Sequence, residues 1–337
     1  MGGTNPRPAG SKGDARFPAR RDGPMTVPSD GRPGPRRALL IVNANSRSGR
    51  DKGGEAERLL AEAGLSVSRG RTESREDVSR RIREARGAVD LVVVGGGDGT
   101  INAAAPGIVD TGLPLGILPL GTANDLARTL GVPVDLGDAV AVVAAGHTRR
   151  IDLGSVNGHP YFNVASLGFG VDLTHALTSD AKRRWGPLGY AVAGLRVLRR
   201  LRPFHVDIEI GGDRHRSRTV HFAVGNGRHY GGGMTVSEDA AIDDGRLDIY
   251  SLEVASAWKL LLLLPALRSG HTRRWTEIRT LAGQEIRVTT RRQRSVNADG
   301  EIVTRTPAVF RVLHHAAAVC VPAAGGAGSE AAPPRGQ

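Results

Sequence analysis

The sequence predicts an α/β half with a parallel sheet and flanking helices, followed by a β-rich half of antiparallel strands. Three observations carry this. From Ala38 onward, short apolar runs alternate with stretches of helical length, the pattern of strands that are joined by helices and pair in parallel. Past Val206 the apolar residues recur at every second position: Val206, Ile208 and Ile210; Val220, Phe222 and Val224; Leu247 and Ile249. Gly or Asp turns bound each series, as expected of antiparallel strands with one buried face. Within the first pattern stands Leu91-Val92-Val93-Val94-Gly95-Gly96-Gly97-Asp98-Gly99-Thr100, a buried-type strand running directly into a glycine turn.

Residues 1–36 are rich in Pro, Gly, Arg and Asp, hold no apolar segment and are expected to be disordered. They lack the apolar core of about 7–15 residues that a signal peptide needs. Order starts at Arg37. Ala38 to Val42 forms a strand, and Asn43-Ala44-Asn45-Ser46-Arg47-Ser48-Gly49 a polar loop of small hydrogen-bonding residues. A helix carrying Leu59, Leu60 and Ala63 ends near Gly64; a strand from Leu65 to Arg69, then Thr72 and a basic helix through Arg86, lead to the strand at Leu91.

The glycines after Val94 let the backbone turn with its N–H groups exposed, and helix-compatible residues follow from Thr100 to Ala105. Strand, glycine loop and helix N-terminus in that order favour a bound phosphate. The loop has neither the Gly-Lys-Ser/Thr ending of a P-loop nor Gly-x-Gly-x-x-Gly spacing. It carries a carboxylate instead. Asp98 beside phosphate is repulsive unless a proton or metal ion intervenes, which suggests Mg²⁺ organisation or contact with a substrate hydroxyl. A plain surface turn is the competing reading of the pentapeptide taken alone.

A strand from Leu115 to Leu118 then enters Pro119-Leu120-Gly121-Thr122-Ala123-Asn124-Asp125-Leu126-Ala127-Arg128, where Thr122 or Asn124 can cap a helix. Three polar loops therefore fall at carboxyl ends of parallel strands, where open sheets bind their ligands. In the second half, Ala255 to Ser269 breaks the period of two, and Trp258, Leu261, Leu262 and Pro265 suggest a helix. Residues 321–337, rich in Pro, Gly and Ala, read as a loose tail.

Composition bounds the function without choosing it. The 337 residues carry a net charge of +12, nearly all of the basic charge from Arg. That balance suits nucleic acid, an anionic membrane surface or a phosphorylated ligand. Aromatics at 4% leave little for a base-stacking platform. Cys320 is the lone cysteine, which excludes an intrachain disulfide and a multi-cysteine metal site. No apolar run, Leu260 to Leu264 among them, approaches the ~20 residues of a membrane span, so the chain is expected to be soluble or peripheral.

Gly96-Gly97-Asp98-Gly99-Thr100, followed after one helix and one strand by Pro119-x-Gly121-Thr122-x-Asn124-Asp125-x-Ala127-Arg128, resembles the catalytic domain of the diacylglycerol kinase family, in its soluble bacterial lipid kinase branch. Sphingosine kinases and, more distantly, NAD kinases are similar. Further matches come in order: Tyr161-Phe162-Asn163-Val164-Ala165-Ser166-Leu167-Gly168-Phe169-Gly170; Gly225-Asn226-Gly227 with Tyr230-Gly231-Gly232-Gly233-Met234; Asp243-Asp244-Gly245-Arg246-Leu247-Asp248; and Asp299-Gly300-Glu301. The resemblance covers residues 38–313. It implies an NAD kinase/diacylglycerol kinase-like ATP-binding domain at 37–155, a β-sandwich lipid kinase domain at 156–313 whose last strands can return to the first, and a loose tail at 314–337.

The same resemblance implies ATP and Mg²⁺ as cofactors. ATP would be held by Asn43, Ala44, Asn45, Ser46 and Arg47, by Thr72, by Gly96, Gly97, Asp98, Gly99, Thr100, Ile101 and Asn102, and by Gly121, Thr122, Asn124 and Asp125. Mg²⁺ would bind the Asp244 carboxylate and the carbonyl oxygens of Ala241 and Arg246. Glu301 would be the general base, with Asp299 and Asp98 as its catalytic companions. Taken alone, Asp244-Gly245 and Asp299-Gly300 read as hairpin turns.

Further implications are a lipid alcohol as acceptor, diacylglycerol first and a sphingoid base or another lipid next, and a cytoplasmic enzyme visiting an anionic membrane surface. Arg183-Arg184-Trp185 and Arg196 through Arg202, interleaved with Val197, Leu198 and Leu201, resemble a basic amphipathic surface for that contact. No nucleic-acid partner is expected, and a homodimer is compatible with an exposed β-edge. An NAD kinase would share the glycine loop but not the Pro-x-Gly-Thr-x-Asn-Asp series or the terminal Asp-Gly-Glu. The first loop departs from the family's Asn-Pro-x-Ser-Gly, with Ala44 for proline and Arg47 and Ser48 lengthening the run before Gly49.

Overall fold

The computed structural model describes residues 35–42, 47–168, 202–227, 229–230, 234–235, 241–253 and 278–323. Asn43, Ala44, Asn45 and Ser46, the expected helix at 255–269, the basic stretches at 183–185 and 196–201, residues 1–34 of the expected disordered 1–36, and residues 324–337 of the expected loose tail lie outside the described residues; Arg36, expected in the disordered segment, is described and donates to the Val143 carbonyl at 3.3 Å.

The first half alternates as expected: β1 (Arg37–Val42), α1 (Arg47–Glu62), β2 (Ser66–Gly70), α2 (Arg75–Glu84), β3 (Leu91–Gly96), α3 (Asp98–Thr111), β4 (Leu115–Pro119), α4 (Asp125–Thr129) and α5 (Leu136–Ala145). Strands dominate the rest: β5 (Thr148–Val156), β6 (His159–Tyr161), β7 (Val164–Gly168), β8 (Phe204–Ile210), β9 (Asp213–Thr219), β10 (His221–Gly225), β11 (His229–Tyr230), β12 (Met234–Thr235), β13 (Leu247–Leu252), β14 (Ile278–Gly283), β15 (Glu285–Thr290), β16 (Ser295–Ala298), β17 (Glu301–Arg305) and β18 (Ala308–Cys320).

β2-β1-β3-β4 pair in parallel, and every residue of β3 is buried, which is why it reads as an unbroken apolar run. The sheet does not stop at β4. It continues as β18-β15-β8-β9, with β18 parallel to β4 through Val319 opposite Leu115 and antiparallel to β5 and β15. A separate antiparallel sheet runs β14-β13-β10-β7-β16-β17. One apolar core, from Ala38 to Cys320, packs the parallel strands against their helices; a second joins Leu167, Phe222, Ile249 and Val296 of the antiparallel sheet to Val206, Ile286 and Phe310 of the large one.

This pairing corrects the tail expected at 314–337: β18 runs to Cys320, and Ala317, Val319 and Cys320 are buried. Ala316 to Val321, directly after His314 and His315, is apolar throughout, and its pairing partners β4 and β5 lie far away in sequence. Arg47, expected in the first loop, begins α1.

Helices α2 and α3 pack closely. A Cβ on Gly107 would come within 2.9 Å of both Ile82 Cβ and the Ser79 carbonyl, so only glycine permits the approach. Ser79 Oγ donates to the Ala103 carbonyl at 2.7 Å and accepts from the Gly107 amide at 3.1 Å. Its hydroxyl thus bridges the α3 ladder beside Pro106, which has no N–H of its own. Ser74 and Asp77 close the N-terminus of α2 in a reciprocal capping box, placing Arg75 on its first turn.

Candidate active site

The glycine loop sits where β3 passes into α3. Gly97 caps the helix in extended backbone, with no side-chain cap over the first turn. Gly97 and Gly121 bring two loops into backbone contact: a Cβ on Gly121 would collide with Gly97 Cα, and one on Gly97 would stand 3.3 Å from Gly121 Cα. Leu120 N donates to Gly96 O at 3.0 Å, fixing the approach. The result is a shallow cradle walled by main chain, suited to an anion.

Asp98 ties the loops together from its side chain. Its Oδ1 accepts from Leu126 N at 3.2 Å, so the carboxylate anchors the start of α4. Burial pushes its pKa up, and the neighbouring Asp125 carboxylate adds to that. Asn124 stands at the N-cap of α4, but in left-handed backbone and without capping the helix. Its side-chain amide instead exchanges hydrogen bonds with Gly121, accepting from its N–H and donating to its carbonyl, both at 3.0 Å. The alternative of a simple Asn124 cap is thereby corrected: the residue shapes the loop. Thr122 is exposed beside it, and Asn102 is buried on α3. Ile101, expected at the nucleotide, is fully buried in the apolar core, so only its backbone faces the turn.

The second half supplies the acidic residues. Asp299 and Gly300 both have positive φ, 45° and 95°, as a two-residue hairpin turn between β16 and β17 requires. The turn also gathers main-chain donors. The Asp299 carboxylate accepts backbone N–H bonds from Phe162 at 2.8 Å, Asn163 at 3.2 Å and Val164 at 2.9 Å. Burial raises its pKa to about 6 against the pull of those three amides, and Asp98 contributes a smaller upward push, which places the two carboxylates in one neighbourhood.

Glu301, two residues on, is exposed and reaches the glycine loop. Its Oε1 lies 3.3 Å from Arg75 Nη1, which also donates to the Gly99 carbonyl at 2.8 Å. A cavity of about 420 Å³ opens here, lined among others by Thr72, Ser74, Arg75, Gly97, Thr100 and Glu301. The structure thus gathers Thr72, the glycine loop and Glu301 from three distant parts of the chain. Arg75 was not singled out by the sequence, which offers only one more arginine in a basic helix.

The loop expected to hold Mg²⁺ lies against β5 and β18. Asp244 is exposed; its carboxylate accepts from Arg246 N at 3.2 Å and Arg246 Nε at 3.0 Å, with Ala241 N at 3.4 Å. Buried Asp152 braces this loop, its Oδ2 accepting from Gly245 N at 2.7 Å. Asn226 connects the two regions by donating to the carbonyls of Asp152 at 2.7 Å and Phe162 at 2.9 Å. Asp152 carried no motif signal; Asn226 stood in a quoted motif without a role.

A main-chain anion cradle at the end of a parallel strand, faced by an exposed carboxylate from a second sheet, defines a phosphoryl-transfer type of site. The model of the diacylglycerol kinase catalytic domain matches residues 37–156, and that of the YegS C-terminal NAD kinase beta sandwich-like domain matches residues 165–321. The diacylglycerol kinase of Bacillus subtilis is 32% identical over 294 residues, covering 85% of this chain and 97% of the relative. A Klebsiella pneumoniae relative described as a YegS-like lipid kinase is 36% identical over 63% of this chain and 72% of its own. The crystal structure of a Bacillus anthracis protein assigned as a diacylglycerol kinase superposes with a TM-score of 0.73 at 25% identity, covering 87% of this chain and 97% of that one. The chain belongs to the bacterial diacylglycerol kinase and YegS lipid kinase family, and is a lipid kinase by that membership.

Proposed function

We propose that this protein transfers the γ-phosphate of ATP to the hydroxyl of diacylglycerol, giving phosphatidic acid. The observation that supports this reading best is the meeting of Glu301 with the Gly97–Thr100 loop around one cavity, although two hundred positions separate them in the chain. ATP is the phosphoryl donor, and Mg²⁺ offsets the charge of its phosphates. The fit to a triphosphate rests on the Gly97–Gly121 contact: side chains there would fill the cradle. Thr72 and Thr100 add hydroxyls at its edge, and Arg75 a cation.

Glu301 orients the acceptor hydroxyl and takes its proton late, as charge develops on the attacking oxygen. Its exposure lets an acceptor hydroxyl reach it beside Arg75. Asp299 holds the turn that aims Glu301, through three amides of the strand β7 approach. Asp98 locks the two phosphate loops in register through Leu126. The Asp244 carboxylate, with the carbonyls of Ala241 and Arg246, is an oxygen-only set of the kind Mg²⁺ prefers. The lipid acceptor implies transient work at a membrane surface; no helix among the described residues is long and apolar enough to cross one.

The test is γ-phosphate transfer from ATP and Mg²⁺ to a panel of lipid alcohols in mixed micelles, with NAD as a separate acceptor. Label in phosphatidic acid supports the reading. Label in another lipid moves the acceptor while keeping the kinase, label in NADP replaces it with a nucleotide kinase, and transfer to none removes it.

A further inference from the structure

Arg75 and Glu301 meet over the glycine loop from opposite halves of the chain, and one guanidinium nitrogen serves two partners. Arg75 Nη1 donates to the Gly99 carbonyl at 2.8 Å and lies 3.3 Å from Glu301 Oε1. This nitrogen carries two hydrogens, so both are engaged by protein. Nη2 and Nε keep three further N–H donors, which bond to nothing among the described residues. The Gly99 contact fixes the guanidinium closely: a Cβ on Gly99 would stand 3.4 Å from Nη1.

The fold does not call for an arginine at this position. Arg75 opens α2, where the helix dipole disfavours a cation, and Ser74 and Asp77 complete the cap without it. Its side chain is 36% exposed and that of Glu301 50%, so their pairing contributes little to stability. Among the described residues lining the cavity of about 420 Å³, Arg75 is the one cation, beside the carboxylates of Glu73 and Glu301. Any phosphate entering that cavity therefore competes with Glu301 for a single guanidinium.

We propose that Arg75 is a ligand of the nucleotide's γ-phosphate that Glu301 occupies until the nucleotide arrives. In the nucleotide-free enzyme the guanidinium holds the carboxylate; ATP draws it onto the terminal phosphate and releases Glu301 to the acceptor hydroxyl. This rests on the kinase reading above and adds to it an order of binding, phosphoryl donor before lipid. The exchange is favoured by geometry. A planar fork with three open donors matches the oxygens of a phosphate, whereas Glu301 holds Arg75 through one nitrogen at 3.3 Å. Nη1 keeps its bond to Gly99 throughout, so the guanidinium turns about a fixed point on the glycine loop.

The experiment is calorimetric titration of the full chain, in Mg²⁺, with a non-hydrolysable ATP analogue and with ADP. It compares the parent, Arg75→Ala, Glu301→Gln and the double variant. Arg75→Ala should weaken the analogue at least about tenfold, the loss of a charged hydrogen bond, and leave ADP unchanged. Glu301→Gln releases Arg75 and should tighten the analogue about two- to fivefold, the worth of an exposed ion pair. That gain should vanish when Arg75 is also replaced, and ADP should show none of it. A gain that persists in the double variant is plain charge repulsion and overturns the exchange. Equal losses of ADP and analogue in Arg75→Ala overturn the γ-phosphate contact. The exposed positions leave both cores untouched, and unchanged ADP affinity reports an intact cradle. A parent that binds neither nucleotide removes the kinase reading itself; one that binds both without this coupling removes the exchange alone.

Discussion

Glu301 and Arg75 form an ion pair across the mouth of the cavity, and their partial exposure makes it weak as a stabilising contact. Its consequence lies in chemistry. Glu301→Gln removes the acceptor of the hydroxyl proton while keeping the shape, so ATP binding should persist and kcat should fall about 10²–10⁴-fold. Equilibrium nucleotide binding beside a steady-state assay checks this; unimpaired turnover would remove Glu301 as the base. Arg75→Ala leaves Glu301 unpaired and takes a cation from the cradle. KM for ATP should rise and kcat fall, and Arg75→Lys should restore part of each, since a point charge replaces a forked donor. If Arg75→Ala leaves both constants unchanged, the guanidinium belongs to the surface and not to the site. Asp98→Asn weakens its hold on Leu126 N and should damage nucleotide binding and turnover together.

At the scale of elements, two contacts decide where these side chains stand. The first is the meeting of loops at Gly97 and Gly121. Gly121→Ala places a methyl against Gly97 Cα, main chain against main chain with nothing flexible to yield. ATP binding should be lost and Tm lowered; a variant that binds ATP like the parent would show that the cradle lies elsewhere. The second is the α2–α3 seam. Ser79→Ala removes the hydroxyl that bonds both Ala103 O and Gly107 N, at about 0.5–1.5 kcal/mol for each bond lost. Urea denaturation measures that loss. Because α2 carries Arg75, the same variant should loosen the Arg75–Glu301 pair and show a raised KM for ATP.

Over the whole molecule, two buried groups set opposing pH trends. Asp299, raised to about 6, keeps a proton longer in the folded chain than in the unfolded one. Its favourable contribution is present below about pH 4 and is lost as pH rises through 6. His221, lowered to about 4 by burial, behaves in the opposite sense. Its contribution is complete above about pH 6.5 and is lost as pH falls towards 4. Each shift corresponds to about 3 kcal/mol, so the two nearly cancel between pH 4 and 6.5. His221→Gln should uncover the Asp299 trend, making the variant gain stability relative to the parent as pH falls across that window. Urea unfolding at pH 4.5 and 7 compares them, and an unchanged difference would show that His221 does not resist protonation. Turnover should fall as pH drops through about 6, where Asp299 gains a proton and no longer meets three amide donors as a pure acceptor.

What the sequence alone determined was local. Four apolar residues before a glycine run specified β3 and its turn, the period of two at Val206, Val220 and Leu247 specified β8, β10 and β13, and the ordered motifs specified the family. These signals are set by backbone preference and by which face of an element is buried, and both are written in neighbouring residues. The resemblance implied that the last strands can return to the first domain; tertiary structure alone decided that the returning strand is β18, runs to Cys320 and pairs with β4 and β5, because pairing partners far apart in sequence leave no periodic trace. It also decided that Asp299 accepts from Phe162, Asn163 and Val164, that Asp152 braces Gly245, and that Arg75 meets Glu301. A site assembled across a chain is a matter of distance in space, and single residues such as Arg75 and Asp152 acquire their roles only when folding removes that distance.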